Sequence, residues 1–276
     1  MIKEVLVYTF GDQSHDSAIR AAAAFAAHHN ARLTGLFVKP DVMAYSVAYG
    51  NYPLGLAETF YQLQASYCEK IKARFESITA DYELRCQWHQ TDEYEKKPRP
   101  AFYSDLIFVR QPDSESSVVF NDTDFVDHLI TDTGLPTVVI PSDWSAENFA
   151  QLPVLGWKET REAVSAVRHA LPIMRDAKDV DIVAITQTTD FKEELIEGIE
   201  ISDYLSKHEV TTKYFAERMI EQDLNETDTL LRHVENRGRD LIIIGGYGHS
   251  RFREIVLGGM TRSLIKKSPV PVLLSH

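Results

Sequence analysis

A four-residue apolar run, Leu241-Ile-Ile-Ile244, leads directly into Gly245-Gly246-Tyr247-Gly248-His249-Ser250, and a helical pattern follows behind Gly258-Gly259-Met260. Glycines at 245, 248 and 258 let backbone N–H groups turn toward one point with no Cβ between them, and a helix start behind them adds about half a unit of positive charge. The chemistry that suits this layout is the holding of a phosphate. A tight turn packing a helix on a sheet also uses glycine and is the competing reading, although three glycines at this spacing exceed what one turn needs. His249 stands either to donate to a phosphate or as a surface residue. Arg251, Arg253 and Arg262 add positive charge near the helix start, the last two reading as ordinary solvated side chains.

Other reactive constellations are missing. No G-x-x-x-x-G-K-[ST] occurs, so the lysine and the magnesium-bound hydroxyl of P-loop hydrolysis are absent, and no G-x-S-x-G elbow presents a nucleophile. His28-His29 and Cys68 have no metal-ligand spacing to a second pair, so no metal is expected. With no catalytic residue to assign, the chain reads as a binding protein in which any ATP hydrolysis is slow.

The spacing Gly245-x2-Gly248-x9-Gly258 closely resembles the nucleotide loop of the universal stress proteins, G-x2-G-x9-G-[ST], and Pro269-Val-Pro-Val-Leu-Leu-Ser275 is similar to that family's closing strand. The resemblance covers the second half throughout and the first half only in its order of elements. It implies ATP or another adenine nucleotide as ligand, in a site gathering Gly245, Gly248, His249, Ser250, Gly258, Gly259 and Met260 with Trp157 and Lys158. Thr160 matches a helix-capping hydroxyl of the family. Two positions depart from the pattern: Gly259 replaces a Ser or Thr whose hydroxyl would bond a phosphate oxygen, and Lys158 stands where members carry Asp. The resemblance also implies a role in a stress response. The alternative within the family is a dimerisation or signalling scaffold that no longer binds nucleotide. An ATP-pyrophosphatase of the same superfold would carry Ser-Gly-Gly-x-Asp-Ser after its first strand, and that motif is absent.

Composition narrows the partners. The 276 residues carry 29 Lys and Arg against 41 Asp and Glu, a formal charge of −12, which argues against nucleic acid and against anionic membrane surfaces. No window reaches the roughly 18 apolar residues of a membrane span, and Met1–Gly11 lacks a signal-peptide core. Only Cys68, in a helical pattern, and Cys86, in a strand pattern, are present, so a reducing cytoplasmic setting is expected.

The elements that must position the loop occur twice. Ser104–Arg110 aligns with Arg239–Gly245 and Leu135–Ile140 with Val270–Ser275 at one constant offset, so the loop and helix between them match without a gap. Where the second half has Gly245, Gly248, Gly258 and Gly259, the first has Arg110, Asp113, Thr123 and Asp124, and the acids there, with Glu115 and Asp122, oppose a phosphate. The first half instead keeps Asp12-Gln-Ser14, closer to the family's first turn. Strands and helices alternate, and runs such as Val180–Ile185 read as buried on both faces. The fold class expected is α/β: two tandem doubly wound, parallel five-stranded sheets, Rossmann-like and similar to adenine nucleotide alpha hydrolases, related by a pseudo-twofold axis.

Residues 1–141 are expected to form a degenerate domain, 142–152 a linker and 153–276 the domain with the nucleotide loop. Strands are expected near 3–9, 32–38, 82–88, 104–110 and 136–140, then 153–157, 180–186, 209–215, 240–245 and 270–275. The strand ending each half is an edge in the family, so the two should pair antiparallel within the chain. A homodimer would then need another surface, such as the insertion carrying Tyr45, Tyr49, Tyr52, Phe60 and Tyr61, which otherwise reads as core.

Overall fold

The computed structural model describes residues 1–9, 16–39, 57–92, 99–112, 123–145, 149–186, 192–218, 225–246 and 259–276. The first half runs β1 (Glu4–Thr9), α1 (Asp16–His28), β2 (Arg32–Lys39), α2 (Ala57–Thr79), β3 (Arg85–Asp92), a 3-10 turn (Arg99–Tyr103), β4 (Leu106–Arg110), α3 (Thr123–Thr133) and β5 (Thr137–Ile140). The second runs β6 (Pro153–Gly156), α4 (Arg161–Asp176), β7 (Val180–Thr186), α5 (Lys192–Lys207), β8 (Thr212–Arg218), α6 (Glu226–Arg237), β9 (Leu241–Gly245), α7 (Gly259–Lys267) and β10 (Val272–Ser275).

Apolar spacing explains the helices. In α4 the buried Ala163, Ala166, Val167, Ala170, Ile173 and Met174 recur every three or four residues, one stripe facing the sheet. Its N-cap, Thr160, accepts a hydrogen bond from the Ala163 amide. Helix α6 is capped by Asn225, which accepts from the Asp228 amide, and ends where Gly238 takes the left-handed conformation at φ 60°.

The strands pair in the order β3-β2-β1-β4-β5-β10-β9-β6-β7-β8, one ten-stranded sheet that reads the same from either edge. Neighbours are parallel within each half. At the centre β5 and β10 run antiparallel, with Val272 opposite Val139, Leu273 opposite Val138 and Leu274 opposite Thr137. The expected pairing of the two closing strands is therefore present, and it fuses the two five-stranded sheets into one. Backbone bonds repeat at matching places on either side of this seam: the Gln111 amide donates to the Ile140 carbonyl at 2.7 Å and the Gly246 amide to the Ser275 carbonyl at 2.8 Å.

Both faces of the sheet are covered, and both cores cross the seam. One joins Val5, Phe25 and Phe108 to Leu155, Ala166 and Leu273; the other joins Leu6, Ile107 and Val139 to Val154, Ile242 and Leu264. Phe149, in the stretch expected to be only a linker, is buried with its ring 5.9 Å from those of Phe25 and Phe108.

Strand boundaries move most from the expected ones at β3 and β8, each shifted toward the C-terminus at both ends. Strand β3 starts at Arg85, because the chain leaving α2 turns first, with the Tyr82 amide bonded to the Thr79 carbonyl and the Leu84 amide to the Tyr82 carbonyl. Strand β8 starts at Thr212, because Glu209 takes φ 65° in the turn that closes α5. Among the described residues no helix is long and apolar enough to cross a membrane. The insertion aromatics Tyr45, Tyr49 and Tyr52 lie outside the described residues, as do the side chains of Phe60 and Tyr61.

Candidate functional site

Strands β6 and β9 are neighbours in the second half, yet the chain leaves them toward opposite faces: α4, after β6, packs in the core containing Leu155, whereas α7, after β9, packs in the core containing Val154. This is the point where strand order reverses, and in open parallel sheets ligands bind beyond the strand ends there. Of the expected site residues, Trp157, Lys158, Gly245, Gly259 and Met260 are among the described ones and lie on or next to the elements that flank this point.

Gly156 ends β6, where a Cβ would come within 2.8 Å of the Ile244 Cγ2 on the neighbouring strand. The next residue, Trp157, keeps strand geometry for one more bond, its amide donating to the Val183 carbonyl at 2.9 Å. Its ring packs against the core, and its buried indole N–H meets no acceptor among the described residues. Lys158 is exposed, and its carbonyl accepts from the Thr160 amide at 2.7 Å, a tight turn that launches α4. Thr160 thus caps the helix as the resemblance implied.

Gly245 has a packing duty. A Cβ there would lie 2.5 Å from the Ala163 amide nitrogen and 2.7 Å from the Glu162 carbonyl oxygen, so the first turn of α4 sits directly on the end of β9. Only glycine admits that approach. The equivalent place in the first half is held by Arg110, buried to 2% exposure at the end of β4. Arg110 and Gly245 therefore mark how the two halves have diverged at the same strand end.

Gly259 opens α7, and a Cβ on it would meet nothing within 4 Å among the described residues. No acid occupies the first turn of α7, so its partial positive end is not neutralised from within, while Lys266 and Lys267 suit its opposite end. Met260 is half-buried against the core. Gly248, His249, Ser250 and Gly258 lie outside the described residues, as do Arg251 and Arg253 and, in the first half, Asp12, Ser14, Asp113, Glu115 and Asp122.

Two polar clusters near these strands carried no sequence motif. Ser275, fully buried, lies 2.7 Å from His169 Nδ1 and 3.0 Å from the Ser165 hydroxyl, tying β10 to α4; burial lowers the His169 pKa, so its ring is neutral near pH 7. Asp181 is also fully buried, within the β7 run that reads as apolar. Its carboxylate accepts from Arg237 at 2.5 Å and Arg239 at 2.7 Å, and lies 3.0 Å from His233 Nε2. Arg239 also reaches Asp179, whose pKa is lowered by its bonds to Arg239 and Lys213. The signal for this cluster was one acid interrupting Val180–Ile185. It is a paired, buried charge set that fixes α6 to the sheet rather than an open site.

Residues 155–276 match the model of the Universal stress protein family. A universal stress protein of Synechocystis is 37% identical over 46 residues, 17% of this chain and 16% of that protein. One of Methanocaldococcus jannaschii is 40% identical over 47 residues, 17% of this chain and 29% of its own length. The chain thus aligns with less than a third of either relative. The crystal structure of a universal stress protein from Archaeoglobus fulgidus is similar in fold along the whole chain, with a TM-score of 0.71 over 99% of this chain and 96% of that one at 12% identity. The second half of the chain, residues 155–276, thus matches the universal stress protein family, and the fold of the whole chain is similar to that of a member.

Proposed function

We propose that the protein binds an adenine nucleotide, or a closely related phosphate ligand, in its second half and acts in a stress response by binding rather than by turnover. The observation that carries this reading is the reversal of strand order between β6 and β9, which brings Trp157, Lys158, Gly246 and the start of α7 around one end of the sheet. Lys158 is an exposed positive charge there, and α7 adds its helix end. The first half is unsuited, because the bulky Arg110 fills the place of Gly245. Cys68 and Cys86 are not joined in a disulfide, which accords with a reducing compartment, and the cytoplasm is part of this reading.

A scaffold that no longer binds nucleotide is the second reading. Gly245 has a packing account without any ligand, and Gly259 and Lys158 depart from the family's contacts, which favours it to that extent. Mass spectrometry of ligand released from purified protein, followed by calorimetric titration with ATP, ADP and AMP, separates the two. Binding by wild type that is lost in Gly248→Asp, with the fold retained, supports the nucleotide reading. No heat from any of the three, or equal heats in wild type and variant, overturns it. Steady-state phosphate release should stay far below the ~10 s⁻¹ typical of enzymes.

A further inference from the structure

Helices α1 and α4 occupy equivalent places in the two halves, and their C-terminal ends meet beside the seam. His28 is the last residue of α1, His29 follows it, and Asp176 is the last residue of α4. One ligand atom from each of these three side chains lies within 4.8 Å of the other two. His29 Nδ1 is already 3.5 Å from Asp176 Oδ2. Around a tetrahedral ion with bonds of about 2.0–2.2 Å, neighbouring ligand atoms stand roughly 3.3–3.5 Å apart. That pair therefore has the required separation, and only the exposed His28 ring has to close in.

The geometry points to a divalent transition-metal site of the zinc class, held by His28 and His29 from the first half and Asp176 from the second. Two imidazoles and one carboxylate are a donor set that zinc accepts, with a fourth position left for water. A cavity of about 30 Å³, lined in part by Phe25, Phe149, Gln151 and Ile173 together with the three ligands, gives that water a place. Electrostatics point the same way. Each helix end leaves carbonyls without intrahelical partners and about half a negative charge, so two converging C-termini favour a cation. Arg175, beside Asp176, is turned away into a 2.5 Å ion pair with Glu209. The Met1 amino group, whose charge disfavours a proton on His29, is a positive charge the ion has to offset.

The ligands come from both halves, so a bound ion clamps the two halves together independently of the β5–β10 ladder. This site is separate from the nucleotide reading, which it does not require. The test uses the full chain without a histidine tag, stripped with chelator and titrated with ZnCl₂ by calorimetry and with Co²⁺ by visible spectroscopy. Wild type should bind one ion, show the intense d–d bands of tetrahedral cobalt, and melt several degrees higher with zinc. Asp176→Asn and His28→Gln, both on exposed side chains, should each weaken binding at least about tenfold with circular dichroism unchanged. His29→Gln should do the same; if it fails to fold, the two exposed variants decide. Absence of zinc binding, or equal affinity in wild type, Asp176→Asn and His28→Gln, overturns the site.

Discussion

Asp105 and Asp240 hold equivalent positions in the two halves, each gripping the chain as it enters its half's first strand. The Lys3 and Glu4 amides donate to Asp105 Oδ2 at 2.7 and 3.0 Å, while the Gln151 and Leu152 amides donate to Asp240 at 2.8 and 2.9 Å. The grip survives although sequence around it has diverged, because the first strand of either half enters the sheet beside the fourth and its leading amides need acceptors there. The two sites differ in solvent access. Water can replace Asp105, whereas burial raises the Asp240 pKa and shields its donors. Asp105→Ala should therefore cost under about 1 kcal/mol and Asp240→Ala about 1–3 kcal/mol, read from urea unfolding. Equal losses at both positions would show that burial does not set the difference.

Gly245 and Gly259, both candidate loop residues, should respond oppositely to a side chain. Gly245→Ala forces a methyl against the Ala163 amide and should destabilise the fold by about 1–3 kcal/mol, through α4 rather than through any ligand. Gly259→Ser meets open space and replaces glycine by a better helix former, so stability should hold or rise. If the nucleotide reading is right, the added hydroxyl should tighten ATP about three- to tenfold in calorimetry. A Gly259→Ser protein that binds ATP no better than wild type would separate α7 from the phosphate.

Much of this architecture was legible because duplication leaves a register. The constant offset between Ser104–Arg110 and Arg239–Gly245, and between Leu135–Ile140 and Val270–Ser275, matched the halves, while the antiparallel pairing of the closing strands followed from the family resemblance, which makes each an edge. What escaped depends on distances between elements far apart in sequence. Gly245 carries the same signature whether it admits a phosphate or a helix, and only the position of Glu162 and Ala163 shows the helix. Asp181 sits in a strand pattern that its neighbours make apolar, and its partners Arg237 and Arg239 lie 56 and 58 residues further along the chain. His28 and His29 lacked a third ligand by spacing along the chain, because Asp176 reaches them from the other half. Phe149 hid in a polar stretch, one ring being too weak a pattern to announce a core residue.

Two histidines set an expected pH dependence. Burial is the main cause lowering both His169 and His29; at His29, His28 and the Met1 amino group act in the same direction and Asp176 opposes them. In the unfolded chain each takes up its proton near the ordinary value of about 6.5, and in the folded protein only at lower pH. Between those values the unfolded state binds more protons, so stability falls as pH drops through about 6.5 and levels once the folded imidazoles are charged. Melting temperatures across this range should decline on the acid side, and His169→Gln should flatten the decline. A melting temperature independent of pH between about 7 and 5.5 would remove both histidines from the account, and an unchanged slope in His169→Gln would remove His169.

The seam offers the sharpest mechanical test. Val272 lies opposite Val139 on one side and Ile242 on the other, so β10 is a central strand paired to both neighbours. Proline there removes a backbone donor and sets its ring against a neighbouring strand, a change that sheets tolerate at their edges and not at their centres. Val272→Pro should cost on the order of 3 kcal/mol or more. The loss should be local in a telling way: hydrogen exchange should quicken at Val138–Ile140 as well as in β10, because the two strands form one ladder across the halves. Val138→Pro, on the partner strand, should reproduce the pattern from the other side. Exchange that quickens only in the half carrying the substitution would mean that the halves fold as separate units and that the β5–β10 ladder contributes little to holding them together.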